Sequence, residues 1–315
     1  MPISFPNFLQ VSALVTAGVV VPPALAGVSP SPLVYANLDG NGLRIDWDVE
    51  RTRTASYDTG TITIYNMGLP ALLALKTYIG FATAPINALL PLNVEFSLGW
   101  GGLVEKILVG KPWVSKLGQR IGTDVVTTLT ISDGATTGTD ASLGASFAEM
   151  FVETALLLVV SAPPPNGLGW PIDPASKALI TARIATLPIK KTNFIEQGNT
   201  VETVDGFMAT LGLEWKVHNG KFIAMDKGNA ATANPLATVL KAGGGLISWE
   251  QLDNGGISCR ALANPNVSPG SQIVVLDAFG VPVGSPAFRV ERIRFTGTTI
   301  GESIMEIEAR KSVLL

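Results

Sequence analysis

Two runs of strict apolar–polar alternation, one near each end of the chain, limit most sharply what it can fold into. Leu43, Ile45, Trp47 and Val49 alternate with Arg44, Asp46 and Asp48. That spacing puts the apolar set on one face of an extended strand and the charges on the other. Just upstream, Asp39-Gly40-Asn41-Gly42 divides Leu33–Leu38 from Leu43–Val49. This is a hairpin signal, because Asn-Gly and Asp-Gly accept positive φ. Far downstream, Ile304, Glu306 and Glu308 alternate with Met305, Ile307 and Ala309, and only Ile304 breaks the pattern of a half-buried strand. The β-branched run Thr61–Asn66 and the segments 92–98, 103–109 and 124–131 add strands to the first region, around a short helix predicted at 70–79 behind Pro70. Segments 256–262, 271–277, 286–294 and 302–310 form the second, with Asn264-Pro265 and Pro269-Gly270 as turns.

The middle has a different character. Phe147–Val160 reads as an apolar helix, with strand as the alternative for its final Leu157-Leu158-Val159-Val160, and Ala162-Pro163-Pro164-Pro165-Asn166-Gly167 ends it. Asn199–Leu211 is a second helix, with Asn199 as its cap and Glu202 three residues on. Its buried stripe is Val201, Val204, Met208 and Leu211, and Gly212 stops it. A hairpin follows: Leu213, Trp215 and Val217 alternate, Asn219-Gly220 turns, and Lys221–Met225 returns. His218 is the residue before that turn, in a solvent-exposed or structural role. Residues 226–245 read as a linker. The expected class is α+β, mainly β: an N-terminal arm (1–30), a first small β-barrel or sandwich (31–138), a mixed α/β insert (139–245) and a second β-barrel (246–315).

Composition sharpens the functional side. Charged residues are 15% of the 315, hydrophobic ones 47%, and mean hydropathy is +0.36. So few charges suit a surface that partners cover. A net charge of -3 gives no basic footprint for general nucleic-acid binding. The single cysteine, Cys259, has no internal disulfide partner and reads as a buried thiol, and one histidine excludes a multi-histidine metal site within one chain. Residues 7–28 are apolar, but no Lys or Arg precedes Arg44 and Pro22-Pro23 interrupts the run. They read as an arm that packs on a neighbouring chain, with a retained export signal or membrane anchor as the alternative.

Motifs for chemistry are missing. Gly110-Lys111 lacks the upstream glycine of a phosphate loop, where Glu105 stands. Gly40-Asn41-Gly42 lacks the third glycine of a dinucleotide site. No serine sits in a nucleophile elbow, and nothing in the spacing pairs Cys259 with His218. Asp46 and Asp48 share a strand face but read as solvated carboxylates rather than a glycosidase pair, and Asn266-Val267-Ser268 is a chance-prone sequon. No catalytic, cofactor-binding or metal residue is assigned.

A series of short motifs carries a resemblance. Phe194–Asn199 leads into a helix, and Leu211–Gly220 follows it. Gly245-Leu246-Ile247-Ser248 comes next, then Cys259–Pro265 with Pro269-Gly270. Phe288–Arg292 and Glu306–Ala309 close the series. In this order, and together with Ile62–Met67 and Asp124–Gly134, the series resembles the baseplate hub proteins of long-tailed, chiefly contractile, bacteriophages over about residues 40–310. The resemblance implies two tube-like β-barrels per subunit and a homotrimer whose six barrels form a pseudo-sixfold ring. That ring would join the hexameric tail tube protein to the trimeric central spike protein. Other baseplate proteins, and a tape measure protein, are further partners it implies. DNA would pass through the lumen without specific binding, no membrane or cofactor would be involved, and the virion baseplate, assembled in the host cytoplasm, would be its place. The alternatives are a distal tail or adhesin-platform protein of a non-contractile tail and, in another class, a tail-associated peptidoglycan hydrolase.

Overall fold

A computed structural model describes residues 9–17, 33–36, 44–53, 58–69, 72, 92–100, 103–133, 142–143, 146–162, 168–188, 191–195, 198–218, 220–227, 237–285 and 287–312. In chain order the first group of strands is β1 (Leu9–Ala17), β2 (Leu33–Ala36), β3 (Ile45–Thr52), β4 (Thr59–Tyr65), β5 (Leu92–Trp100), β6 (Leu103–Ile121) and β7 (Asp124–Ser132). The insert holds β8 (Ser142–Leu143), β9 (Ser146–Phe151), α1 (Val152–Ser161), α2 (Pro174–Ala185), β10 (Lys191–Ile195), β11 (Gly198–Asn199), α3 (Thr200–Thr210), β12 (Leu213–His218) and β13 (Lys221–Asp226). The second group is β14 (Thr238–Lys241), β15 (Leu246–Gln251), β16 (Ile257–Leu262), β17 (Gln272–Leu276), β18 (Phe288–Thr298) and β19 (Ser303–Lys311).

The class is α+β and mainly β, as expected. The two groups of strands are, however, joined into one 13-stranded sheet in the order β15-β16-β19-β18-β3-β4-β7-β6-β5-β1-β2, with β17 and β14 branching from β18. Among the described residues the sheet does not close into a barrel. Each group turns on one long bent strand. β6 pairs first with β5 and then with β7, with register shifts at Pro112/Val114 and Lys116/Gln119. β18 pairs with β17 at its start and with β3 beyond a shift at Val290/Arg292. Such shifts bend a strand and raise its twist, so one strand serves two sheet directions.

The joint between the groups is the antiparallel β3–β18 pair, from Arg292 opposite Thr52 to Thr298 opposite Asp46. Here Gly297 lies opposite Trp47, and a Cβ on it would meet the indole at 2.7 Å and the Glu302 carbonyl oxygen at 2.7 Å. Glycine is needed because only a residue without a side chain admits that approach. The buried sides of both groups share one core, including Ile45, Trp47, Phe96, Ile293, Phe295 and Ile307. β3 alternates buried and half-buried throughout, as its sequence period requires. Trp47 packs on Phe96 with ring centroids 5.7 Å apart, linking β3 to β5 within the first group.

A second, separate core belongs to the insert: Leu156, Val159, Ile180, Val204, Met208 and Phe222 with Trp170 and Trp215. Trp215 stacks on Phe222 at 5.2 Å and donates its indole N–H to Asp205 of α3 at 2.6 Å. Helix α2 was not expected from the sequence. Pro174 opens it, and the Asp173 carboxylate accepts from the Ser176 N–H at 3.2 Å, an N-cap that satisfies one orphan donor.

Several expectations are revised. The apolar run from Phe147 is strand up to Phe151 and helix only from Val152, because β9 pairs with β10. The linker at 226–245 contains β14, parallel to β17. The N-terminal arm contains β1, which pairs within this chain with β5 on one side and β2 on the other. The strand at 103–109 runs on to Ile121. Beyond Leu69 and Leu72, the helix at 70–79 lies outside the described residues, as does the Asn199 side chain.

Candidate functional site

The two cores meet through charge. β3 ends in Arg51 and Thr52, Arg53 follows, Asp58 precedes β4 and Asp133 follows β7. Against this end of the sheet lies β12, whose Lys216 and His218 point away from the Trp215 side of the hairpin. Lys216 is almost wholly buried, as are Arg51 and Asp58.

Asp58 is the hub of the seam. The Lys216 ammonium donates to its two carboxylate oxygens at 3.3 and 3.1 Å and to the Thr52 carbonyl at 2.9 Å. The Thr52 N–H donates to Asp58 Oδ1 at 3.1 Å, and Arg51 Nε stands 3.5 Å from Oδ2. His218 Nδ1 lies 3.5 Å from the same oxygen, and Arg51 Nη2 lies 3.1 Å from His218 Nε2. The arrangement suits a neutral imidazole with its proton on Nδ1 toward Asp58 and Nε2 accepting from Arg51. Gly220 N–H, in the β12–β13 turn, donates to Asp133 Oδ1 at 3.2 Å. Two cations and two carboxylates therefore balance around a neutral histidine.

The environment sets the titration. Burial alone would raise Asp58, but Lys216, the hydrogen bond to His218 and Arg51 outweigh it and hold the carboxyl at about 2. Burial, and then Arg51 and Lys216, push His218 down to about 4. Burial also lowers Lys216 and Arg51, opposed chiefly by Asp58.

A second ring of ion pairs surrounds the first. Arg53 donates to the Asp226 carbonyl at 2.8 Å and pairs with Glu214 of β12 and with Glu291 of β18, which also binds Arg289. Arg183 of α2 closes the ring on Asp226. Both strand groups and the insert thus contribute to one network.

Among the described residues, one set of three metal-ligating side chains converges, Asp58, Asp133 and His218, with donor atoms within 4.8 Å of one another. The Lys216 ammonium already stands on the Asp58 oxygens, so the positive charge such a site needs is built into the chain. The seam ties the insert to the end of the sheet. Removing one partner of such a buried pair is costly because the other is left as an uncompensated charge.

The residues singled out in the sequence fall elsewhere. Cys259 is buried in the sheet core on β16, and burial pushes its thiol up to about 12, which keeps it protonated and unreactive. Asp46 is bound by Arg44 and Asp48 by Arg294. His218 takes the structural one of its two expected roles.

Solved structures with this fold were found. A tail protein from Neisseria meningitidis MC58 superposes with a TM-score of 0.57 at 12% identity, over 96% of this chain and 97% of that one. The 43 kDa tail protein of prophage MuSo2 from Shewanella oneidensis gives 0.56 at 11%, over 95% and 96%. The chain has the fold of phage tail proteins. A component of the E. coli type VI secretion system, described as structurally similar to the T4 bacteriophage tail proteins gp27 and gp5, gives 0.55 at 8%, over 86% of this chain and 74% of that one. No family model and no curated protein matches the sequence. The tail-protein fold agrees with the hub resemblance of the sequence motifs, and the likeness runs nearly end to end, so it includes the insert as well as the sheet.

Proposed function

We propose that this protein is a structural hub subunit of a tail baseplate. Three copies form a pseudo-sixfold ring, each contributing its two strand groups as tube-like units. One face of the ring continues a hexameric tail tube, the other receives a trimeric central spike, and the bore passes DNA. The observation that carries this reading is the likeness to two tail proteins over at least 95% of each chain. Two strand groups, each built around one long bent strand, support it further. The trimer, the tube and spike partners and the virion location rest on that fold and on the sequence motifs together.

The reading assigns the chain no reaction: it works by shape and by fixed orientation. The seam of Asp58, Lys216, Arg51 and His218 would hold the insert at one angle to the ring, which a symmetry adaptor needs. Native mass measurement with the tube and spike proteins present tests the proposal. It predicts three copies per complex; a stable monomer under those conditions would contradict it. Zymography on cell-wall material addresses the hydrolase alternative, and the hub reading predicts no clearing.

A further inference from the structure

The two strand groups are one pairing scheme used twice. In the first, β3 pairs with β4, β4 with β7, β7 with β6 and β6 with β5, all antiparallel. In the second, β15 pairs with β16, β16 with β19, β19 with β18 and β18 with β17, again antiparallel. The agreement reaches single residues. Setting Ile62 of β4 on Cys259 of β16 brings Leu129 onto Ile307 and Trp47 onto Trp249. Ile45-Asp46-Trp47-Asp48 then matches Ile247-Ser248-Trp249-Glu250. The same setting lays the register shift at Pro112/Val114 on the one at Val290/Arg292.

One joint of this scheme is filled and its equivalent is open. Within the chain β18 lies beside β3, Gly297 stands against the Trp47 indole, and Trp47 is only 4% exposed. The corresponding strands are β6 and β15. Among the described residues no strand lies beside residues 114–121 of β6 on the side away from β7, or beside β15 on the side away from β16. At that open edge Trp249 is 42% exposed and Ile247 52%. An unpaired edge with exposed apolar side chains is a template for a further strand. The charges match as well. At the filled joint Arg294 grips Asp48 at 2.8 and 2.6 Å. Their counterparts at the open one are Lys116 on β6 and Glu250 on β15, both exposed.

We infer that β6 of one copy pairs antiparallel with β15 of a second copy, repeating the β3–β18 joint between chains. Carrying the in-chain register across puts Gln119 opposite Glu250, Arg120 opposite Trp249 and Ile121 opposite Ser248. Trp249 is then covered as Trp47 is, and Lys116 binds Glu250 as Arg294 binds Asp48. The contact joins two different edges, so it is head-to-tail, and its repetition closes into a ring or runs on as a filament. The pairing follows from the internal repeat; its closure at three copies rests on the hub reading.

The test mixes two single variants of the full chain, Gln119→Cys and Glu250→Cys, co-produced with the tube and spike proteins. Residues directly opposite on neighbouring strands come close enough for a disulfide, so mild oxidation should crosslink one variant to the other. Neither variant alone should crosslink. Gln119→Cys mixed with Gln251→Cys, one residue out of register and on the other face of the sheet, should not crosslink either. Charge gives a second reading should the cysteines disturb folding. Lys116→Glu should weaken self-association about tenfold, and adding Glu250→Lys to the same chain should restore it. Absence of the mixed crosslink, or a charge swap without rescue, would overturn the pairing. Native mass measurement of the same sample counts the copies. Three associated copies without the crosslink would leave the hub reading standing, whereas a crosslinked assembly of any other count would sink that reading and leave the pairing intact.

Discussion

The seam and the exposed face of the sheet around Arg292 and Arg294 use the same groups, arginine and carboxylate, to opposite ends, and water makes the difference. In the seam Arg51, Lys216, Asp58 and Asp133 are shut away from solvent, their charges balance, and each depends on the others. On the exposed face Arg292 and Arg294 remain close to half exposed and their pairs with Glu50 and Asp48 sit in high dielectric. A buried pair is costly to break, because the survivor is left as an uncompensated charge. An exposed pair adds little stability, but it sets the charge that the surface presents. The lesson is that one part of the chain spends its ions on geometry and the other on its surface potential.

The buried seam carries the largest expected effect. Lys216→Met should lower unfolding free energy by about 3–5 kcal/mol, read from urea denaturation, since it strands Asp58. A loss below about 1 kcal/mol would mean that water reaches the seam. The double variant with Asp58→Asn should cost less than the two single costs added together, because the partners are coupled.

Acid gives the next largest effect. His218 is held at about 4 against an ordinary value near 6.5, so the unfolded chain takes up its proton first. Its contribution is whole above pH 6.5 and is lost as pH falls toward 4, a change of about 3 kcal/mol. Asp58, held at about 2, adds a further loss only below its ordinary value of 3.8. His218→Phe should flatten the slope between pH 6.5 and 4 while leaving the one below 3.8; an unchanged upper slope would place the titrating group elsewhere.

Gly297→Ala tests the β3–β18 joint. Its methyl would press on the Trp47 indole, at a cost of about 1–3 kcal/mol in thermal unfolding. The smallest effect belongs to the exposed face: Arg294→Gln should change stability by less than about 1 kcal/mol, measured the same way. A larger loss there would erase the contrast between the two regions.

Much of the fold could be read from local pattern. The alternation at Ile45–Val49 and Met305–Ala309 and the pairing of Leu213–His218 with Lys221–Asp226 depend on neighbouring residues, and all three lie in strands where expected. Helix α2 carried a legible signal, Asp173-Pro174 with Ser176, close behind the Pro163-Pro164-Pro165 run. The joining of the strand groups was not legible, since β3 and β18 are brought together only by the tertiary fold. Neither was the seam. Its members lie on β3, before β4, after β7 and on β12, and no window contains them. Period two places Lys216 and His218 on the polar side of β12, which normally means solvent. Here that side is covered by the sheet, because the hairpin is packed on both faces.

The most direct test of the central claim is an electron-microscopic image of the particle that contains this protein, viewed down its long axis. A hub subunit predicts a threefold ring at the junction of tube and spike, with six similar lobes around an open bore. A ring of true sixfold symmetry, or a single copy beside the axis, would contradict it.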